Sequence, residues 1–256
     1  MKRIRGHVAS VFVAGLAVSA VVPACADNDQ TIYIRSILAP AVQRSGGACT
    51  YTDDPAQPSL ASATLDVALS DSYFAWLLVG NQLVARGDPQ NNRAESNRVH
   101  VNGGVVRVKD TSGNLLREFT SYATSFLDPQ NSSTPDFAPV GLTIFDAPAS
   151  ALVQGELPTR ANRKTVLITI KAFGKTTGGK DVESGEFTVP MEVCNGCLVS
   201  FLDANDPAEM IQPNCKKPLA ATTGGADTGP CRIGQDSAIP CQACVGLNPR
   251  CNPANP

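Results

Sequence analysis

Residues 166–193 read VLITIKAFGKTTGGKDVESGEFTVPMEV, and this stretch decides the fold. Val166, Ile168, Ile170 and Ala172 recur at every second position in one arm, as do Phe187, Val189, Met191 and Val193 in the other. A period of two stacks those side chains on one face of an extended chain, and Gly178-Gly179 between the arms supplies a turn. The pattern predicts a hairpin. Pro190 has no N–H to give to a ladder, so its strand is expected at a sheet edge or with that position turned outward.

Upstream the same period returns. Leu65, Val67 and Leu69 alternate with Thr64, Asp66 and Ser70. Val99, Val101, Val106 and Val108 alternate with Arg98, His100, Arg107 and Lys109, and Gly103-Gly104 between them reads as a bulge or tight turn. Thr111-Ser112-Gly113-Asn114 is a turn, after which Leu115 to Phe119 resumes. Tyr73 to Val79 is a continuous apolar run, readable as a buried strand or a short helix, because periodicity does not separate the two. Several short strands with one apolar face each must bury those faces together, and two packed sheets do so most simply. The expectation is an all-β chain: an immunoglobulin-like β-sandwich over residues 63–193, with Trp76 as a core aromatic but without the cysteine pair of true immunoglobulin domains.

At Cys194 the composition changes. Residues 194–256 hold seven of the nine cysteines, eight prolines and six glycines, with Phe201 the lone aromatic. Such a segment is too poor in apolar residues for a large core and is expected to be a small disulfide-rich, loop-rich region.

The opposite end starts Met1-Lys2-Arg3-Ile4-Arg5 and continues from Val8 to Ala24 without a charge. This is the layout of a signal peptide over residues 1–24, and the run is too short and too diluted by Ser10, Gly15 and Ser19 for a membrane span. Val22-Pro23-Ala24-Cys25 fits a lipobox, which makes Cys25 the lipidation site, while Ala24-Cys25-Ala26 also fits ordinary signal peptidase. Acylation is the favoured reading, with residues 25–62 as a tether behind the anchor. Removing residues 1–24 takes away three basic residues and no acidic one, leaving 18 basic against 23 acidic side chains, a balance that argues against a nucleic-acid partner.

With Cys25 acylated or cleaved off, Cys49, Cys194, Cys197, Cys215, Cys231, Cys241, Cys244 and Cys251 remain, an even set expected to pair as disulfides in an oxidising compartment. Two CxxC pairs, Cys194-Asn195-Gly196-Cys197 and Cys241-Gln242-Ala243-Cys244, also raise zinc and a thioredoxin-like redox role. Their wide separation, the four further cysteines and the absence of a βαβ pattern favour structural bridges. Asp203, Asn205, Asp206 and Glu209 form an oxygen-rich loop that lacks EF-hand spacing, and Asp88 to Asn97 is a similar polar loop. Asn131-Ser132-Ser133 matches a glycosylation acceptor pattern. His7 leaves with the signal and His100 reads as an exposed strand histidine, so no nucleophile–base set can be named. The site reading is therefore no catalytic residue, no metal ligand and no cofactor.

Cys25, Leu78-Val79-Gly80-Asn81-Gln82-Leu83, Ala85-Arg86-Gly87, the strand entering Cys194-Asn195-Gly196-Cys197, and Cys231-Arg232-Ile233-Gly234-Gln235-Asp236 to Cys241-Gln242-Ala243-Cys244 together carry a resemblance. The chain resembles uncharacterised predicted outer-membrane lipoproteins of myxobacteria, which implies an outer-membrane location and no activity. The functional expectation is an exported cell-envelope lipoprotein held to a membrane by its anchor, otherwise periplasmic or secreted. It is expected to act as a non-catalytic binding or scaffold module with a protein or glycan partner; a zinc or calcium protein and an enzyme with an unrecognised site are the alternatives.

Overall fold

The stretch 166–193 forms the predicted strand pair in a computed structural model that describes residues 31–40, 49–130, 135–201, 215 and 230–252. Strand β8 (Arg163–Thr176) and strand β10 (Phe187–Cys194) run antiparallel, with Val166 opposite Met191, Ile168 opposite Val189 and Ile170 opposite Phe187. Gly178-Gly179 turns the chain not straight into β10 but into a short strand, β9 (Asp181–Glu183), which folds back on β8 first. Gly179 sits at φ +86°, a conformation that favours glycine.

The chain is mostly strand. Ahead of β8 come β1 (Ile32–Leu38), β2 (Ser59–Leu60), β3 (Ala63–Asp66), β4 (Tyr73–Asn81), β5 (Val99–Asp110), β6 (Leu115–Leu127) and β7 (Asp136–Phe145). One sheet has the order β2-β1-β4-β7; the larger has β3-β10-β8-β5-β6, with β9 beside β8. Their inward faces meet in a single core, to which β4 sends Tyr73, Ala75 and Leu77, β7 sends Val140, Leu142 and Ile144, and β8 sends Val166, Ile168 and Ile170. All are essentially inaccessible to water. At roughly 1.5–3 kcal/mol for each large aliphatic side chain, this shared core is the main favourable term in folding.

Local chemistry sets the details. Gly103 is a bulge inside the continuous strand β5, and a Cβ there would lie 2.2 Å from the Ser121 carbonyl oxygen. The 111–114 turn is closed by Asp110, whose carboxylate accepts from the Ser112 and Asn114 amides at 2.8 and 2.9 Å. Pro190 lies one residue short of the stretch where β3 pairs with β10 in parallel, so no ladder bond is asked of its nitrogen there.

The edge strands β6 and β7 face one another across a seam. The Thr143 amide donates to Ser121 Oγ at 3.0 Å, and Ser125 Oγ donates to the Pro139 carbonyl at 3.2 Å. Side-chain hydroxyls thus occupy polar groups that would otherwise form an open strand edge.

Four expectations need correction. Ile32–Leu38, placed in the tether by its surroundings, is strand β1, with Ile32 and Ile37 buried and a long ladder to β4. Trp76 is not in the core: on β4 the alternation turns Tyr73, Ala75 and Leu77 inward and Phe74 and Trp76 outward. The strand carrying Leu65 stops at Asp66, which is fully buried and not on a polar face as the alternation predicts; the chain turns there because the Asp66 carboxylate accepts the Ala68 amide at 3.0 Å. A helix not anticipated from the sequence, α1 (Ala147–Gln154), follows β7; Asp146 caps it by accepting the Ala149 amide at 3.0 Å, and proline occupies its first turn.

Beyond β10 two short strands, β11 (Val199–Ser200) and β12 (Ile239–Pro240), pair in parallel. Val199, Ile239, Cys215, Cys241, Cys244 and Cys251 form a second, small core made chiefly of half-cystines. The region docks along β3, where the Asp66 amide donates to Gly234 O at 2.9 Å and the Asp236 amide donates to Thr64 O at 3.0 Å.

Candidate functional site

All eight expected cysteines are paired: Cys49 with Cys231, Cys194 with Cys197, Cys215 with Cys241 and Cys244 with Cys251. The Cα–Cα separations, 5.2 to 5.8 Å, lie in the ordinary disulfide range. The two CxxC pairs do not meet around one ion: Cys241 and Cys244 bond to different partners, and Cys194 and Cys197 bond to each other. One group of potential metal donors occurs among the described residues, Asp66 with Cys194 and Cys197. Its sulfurs are consumed by their own bond and its carboxylate accepts backbone amides from Ala68, Gly196 and Leu198, so the donor set does not fit a resident metal. Four disulfides indicate an oxidising, extracytoplasmic environment. No helix among the described residues is long and apolar enough to cross a membrane.

The feature that sequence reading missed is the outer face of the four-stranded sheet. Strands β1, β4 and β7 present Tyr33, Phe74, Trp76 and Phe137 there, each half-buried. Glycines beneath Tyr33 and Phe74 let these rings approach the sheet closely. A Cβ on Gly80 would come within 2.7 Å of the Tyr33 ring, and one on Gly141 within 2.5 Å of the Phe74 ring. Tyr33 and Phe137 meet edge to face at 6.0 Å, as do Phe74 and Trp76 at 5.7 Å, while Tyr51 stacks on Trp76 at 5.4 Å.

The segment carrying Tyr51 to Ala56 crosses this face and divides it into two clefts. The larger, about 580 Å³, is floored by Tyr33 and Phe137 and rimmed by Arg35, Asp53 and Asp136. The Arg35 guanidinium stands 5.5 Å from the centre of the Phe137 ring. Burial pushes the Asp136 carboxyl above its usual range; the nearby Asp128 and Asp53 charges push the same way, against the amides of Asp128 and Phe137. Burial likewise raises the Tyr33 hydroxyl, opposed by Arg35.

The smaller cleft, about 170 Å³, lies where the sheet meets the cysteine-rich region and is lined by Tyr51, Phe74, Trp76, Arg232 and Asp236. Arg232 covers the Phe74 ring at 4.1 Å. Asp236 Oδ2 accepts from the Tyr73 hydroxyl at 2.5 Å and its Oδ1 accepts the Thr64 amide at 2.8 Å, so both carboxylate oxygens are engaged.

His100 is half-buried rather than exposed, its ring stacked on Phe126 at 4.6 Å. In the 88–97 loop the carboxylates serve the backbone: Glu95 accepts amides from Arg86, Gly87 and Asn97, and Asp88 accepts those of Gln90 and Asn91. Cys25 with the signal segment, the 203–209 acidic loop and Asn131-Ser132-Ser133 lie outside the described residues. The outward aromatics had a signal: a strand apolar at consecutive positions, as from Tyr73 to Val79, is covered on both faces.

No protein-family model matches the chain, and no curated protein matches it.

Proposed function

We propose that this chain is an exported, non-catalytic binding module, and that the cleft over Tyr33 and Phe137 takes a glycan. One observation carries the reading: two aromatic rings set over Gly80, edge to face, beside Arg35, Asp53 and Asp136. Pyranose rings offer apolar C–H faces that stack on aromatic rings and edge hydroxyls that need charged or polar partners, and the cleft supplies both at once. It is open to solvent on one side, as suits a chain longer than one sugar.

The rest of the reading follows the same logic. A lipid anchor on Cys25 would hold the module at the outer membrane or cell surface, as the resemblance to myxobacterial lipoproteins implies, and the disulfides support an oxidising location. The immunoglobulin-like form of the sandwich belongs to this proposal; two largely antiparallel sheets on one core support it.

Calorimetric titration of the full-length exported protein against soluble cell-wall and plant oligosaccharides tests the proposal. Saturable binding is expected for at least one, weakened about tenfold or more, roughly 1.4 kcal/mol, by Tyr33→Ala or Phe137→Ala. Absence of binding across the panel, or binding indifferent to both substitutions, overturns it. Release of shorter sugars during the titration would replace the binding module with an enzyme.

A further inference from the structure

We propose that the Cys194–Cys197 bridge is an exchangeable redox disulfide, and that Cys197 is the sulfur a thiol partner attacks. The proposal departs from the purely structural role read from the sequence and stands apart from the glycan cleft.

The parallel ladder between β3 and β10 sets Cys194 opposite Asp66. Both Cys194 and Asp66 are fully buried. Their ligand atoms and Cys197 Sγ all lie within 4.8 Å of one another. The Asp66 carboxylate accepts amides there: Gly196 donates at 2.6 Å, Leu198 at 2.8 Å and Ala68 at 3.0 Å. These contacts hold the loop against β3 and leave Cys194 out of a partner's reach.

Cys197 is the accessible sulfur of the pair. It is half-buried and borders a cleft of about 420 Å³ shared with Arg160 and Arg163. The Arg160 guanidinium donates to the Gly196 and Val199 carbonyls at 3.1 and 3.2 Å, and side-chain carbons of Arg250 pack against Gly196. Arg163 pairs with Glu192 at 3.1 Å. A cleft with guanidinium groups on its wall draws an anionic thiolate toward Cys197. Gly196 at φ +96° lets the loop close this tightly: a Cβ there would lie 2.9 Å from the Arg160 side chain.

Access divides the labour. A thiolate of a dithiol partner attacks Cys197 Sγ; the Cys194–Cys197 bond breaks, and Cys194 leaves with the electron pair and takes a proton from solvent. The partner's second thiol, losing its proton to solvent, attacks its own sulfur in the mixed disulfide and displaces Cys197 as a thiolate. The partner dithiol is oxidised to a disulfide and the bridge is reduced. Only three positions separate the two cysteines, so opening the bridge frees little chain, whereas the other three bridges span 7, 26 and 182 positions.

The intact protein is equilibrated in graded dithiothreitol, alkylated and mapped by mass. Cys194 and Cys197 are expected to label at about tenfold less reductant than Cys244 and Cys251. With oxidised glutathione, Cys194→Ser should form a mixed disulfide on Cys197, while Cys197→Ser should form none on Cys194. If either serine variant does not fold, the wild-type reductant titration decides alone. Reduction of Cys194–Cys197 no sooner than Cys244–Cys251, or a glutathione adduct on Cys194, overturns the proposal.

Discussion

The hydroxyl of Tyr73, a core residue of β4, donates to the carboxylate of Asp236, 163 positions later in the cysteine-rich region, at 2.5 Å. Asp236 sits in the left-handed region at φ 56° and pairs with Thr64 through both its backbone amide and its side chain. Sandwich and tail thus share a polar contact as well as the Cys49–Cys231 bridge.

Tyr73→Phe removes the donor, and solvent takes its place at the exposed Asp236 side chain. A hydrogen bond of this kind contributes about 0.5–1.5 kcal/mol net. Urea unfolding should show a loss of that size, with the slope of the transition unchanged.

Burial raises the Asp236 carboxyl above its usual range, against the hydrogen bonds from Tyr73 and Thr64. A raised acid binds more protons folded than unfolded, so its contribution is complete below the ordinary value near 3.9 and is lost as pH rises through the folded one. Glu95, Asp88 and Asp110 shift the other way and contribute with opposite sign. The informative quantity is therefore the stability of Asp236→Asn minus that of the wild type, expected to become more favourable between pH near 4 and pH near 7. A flat difference over that interval contradicts the assignment.

Gly80→Ala places a methyl group 2.7 Å from the Tyr33 ring and 3.0 Å from Phe137. The ring must lift off the sheet, at a cost typical of overpacking, about 1–3 kcal/mol. Thermal unfolding measures the loss, and aromatic proton chemical shifts of Tyr33 and Phe137 should move while those of the Val166 and Ile168 methyl groups stay in place.

Asp146 both caps α1 and takes the Arg117 guanidinium through two oxygens, at 2.8 to 3.0 Å. The partly covered ion pair is worth about 1 kcal/mol, and a lost cap costs about 0.5–2 kcal/mol. Asp146→Asn, which keeps a capping oxygen, should therefore destabilise less than Asp146→Ala in denaturant titrations.

The strands most legible beforehand were those with one apolar face. Val166 to Ala172, Phe187 to Val193 and Val99 to Val108 alternate because one side meets the core and the other meets water. Legibility failed where both sides are covered or where a single polar atom redirects the chain. Phe74 and Trp76 face a second layer, so their run carries no period. Asp66 interrupts an alternating pattern because its carboxylate organises a turn and the Cys194-to-Cys197 loop, a role that depends on neighbours about 130 positions away. Helix α1 has two turns and a proline near its start, too short for a periodic stripe. The pairing of eight cysteines and the convergence of Tyr33, Phe137, Asp53 and Asp136 are facts of topology, which local pattern does not encode.

The bridge between Cys49 and Cys231 ties a ring that contains nearly every strand of the sandwich. A protease that nicks any exposed loop inside that ring severs the main chain without releasing a fragment, since both pieces stay stapled together. Such a molecule outside the cell would survive a first cut as one body, and clipping would show itself only after reduction.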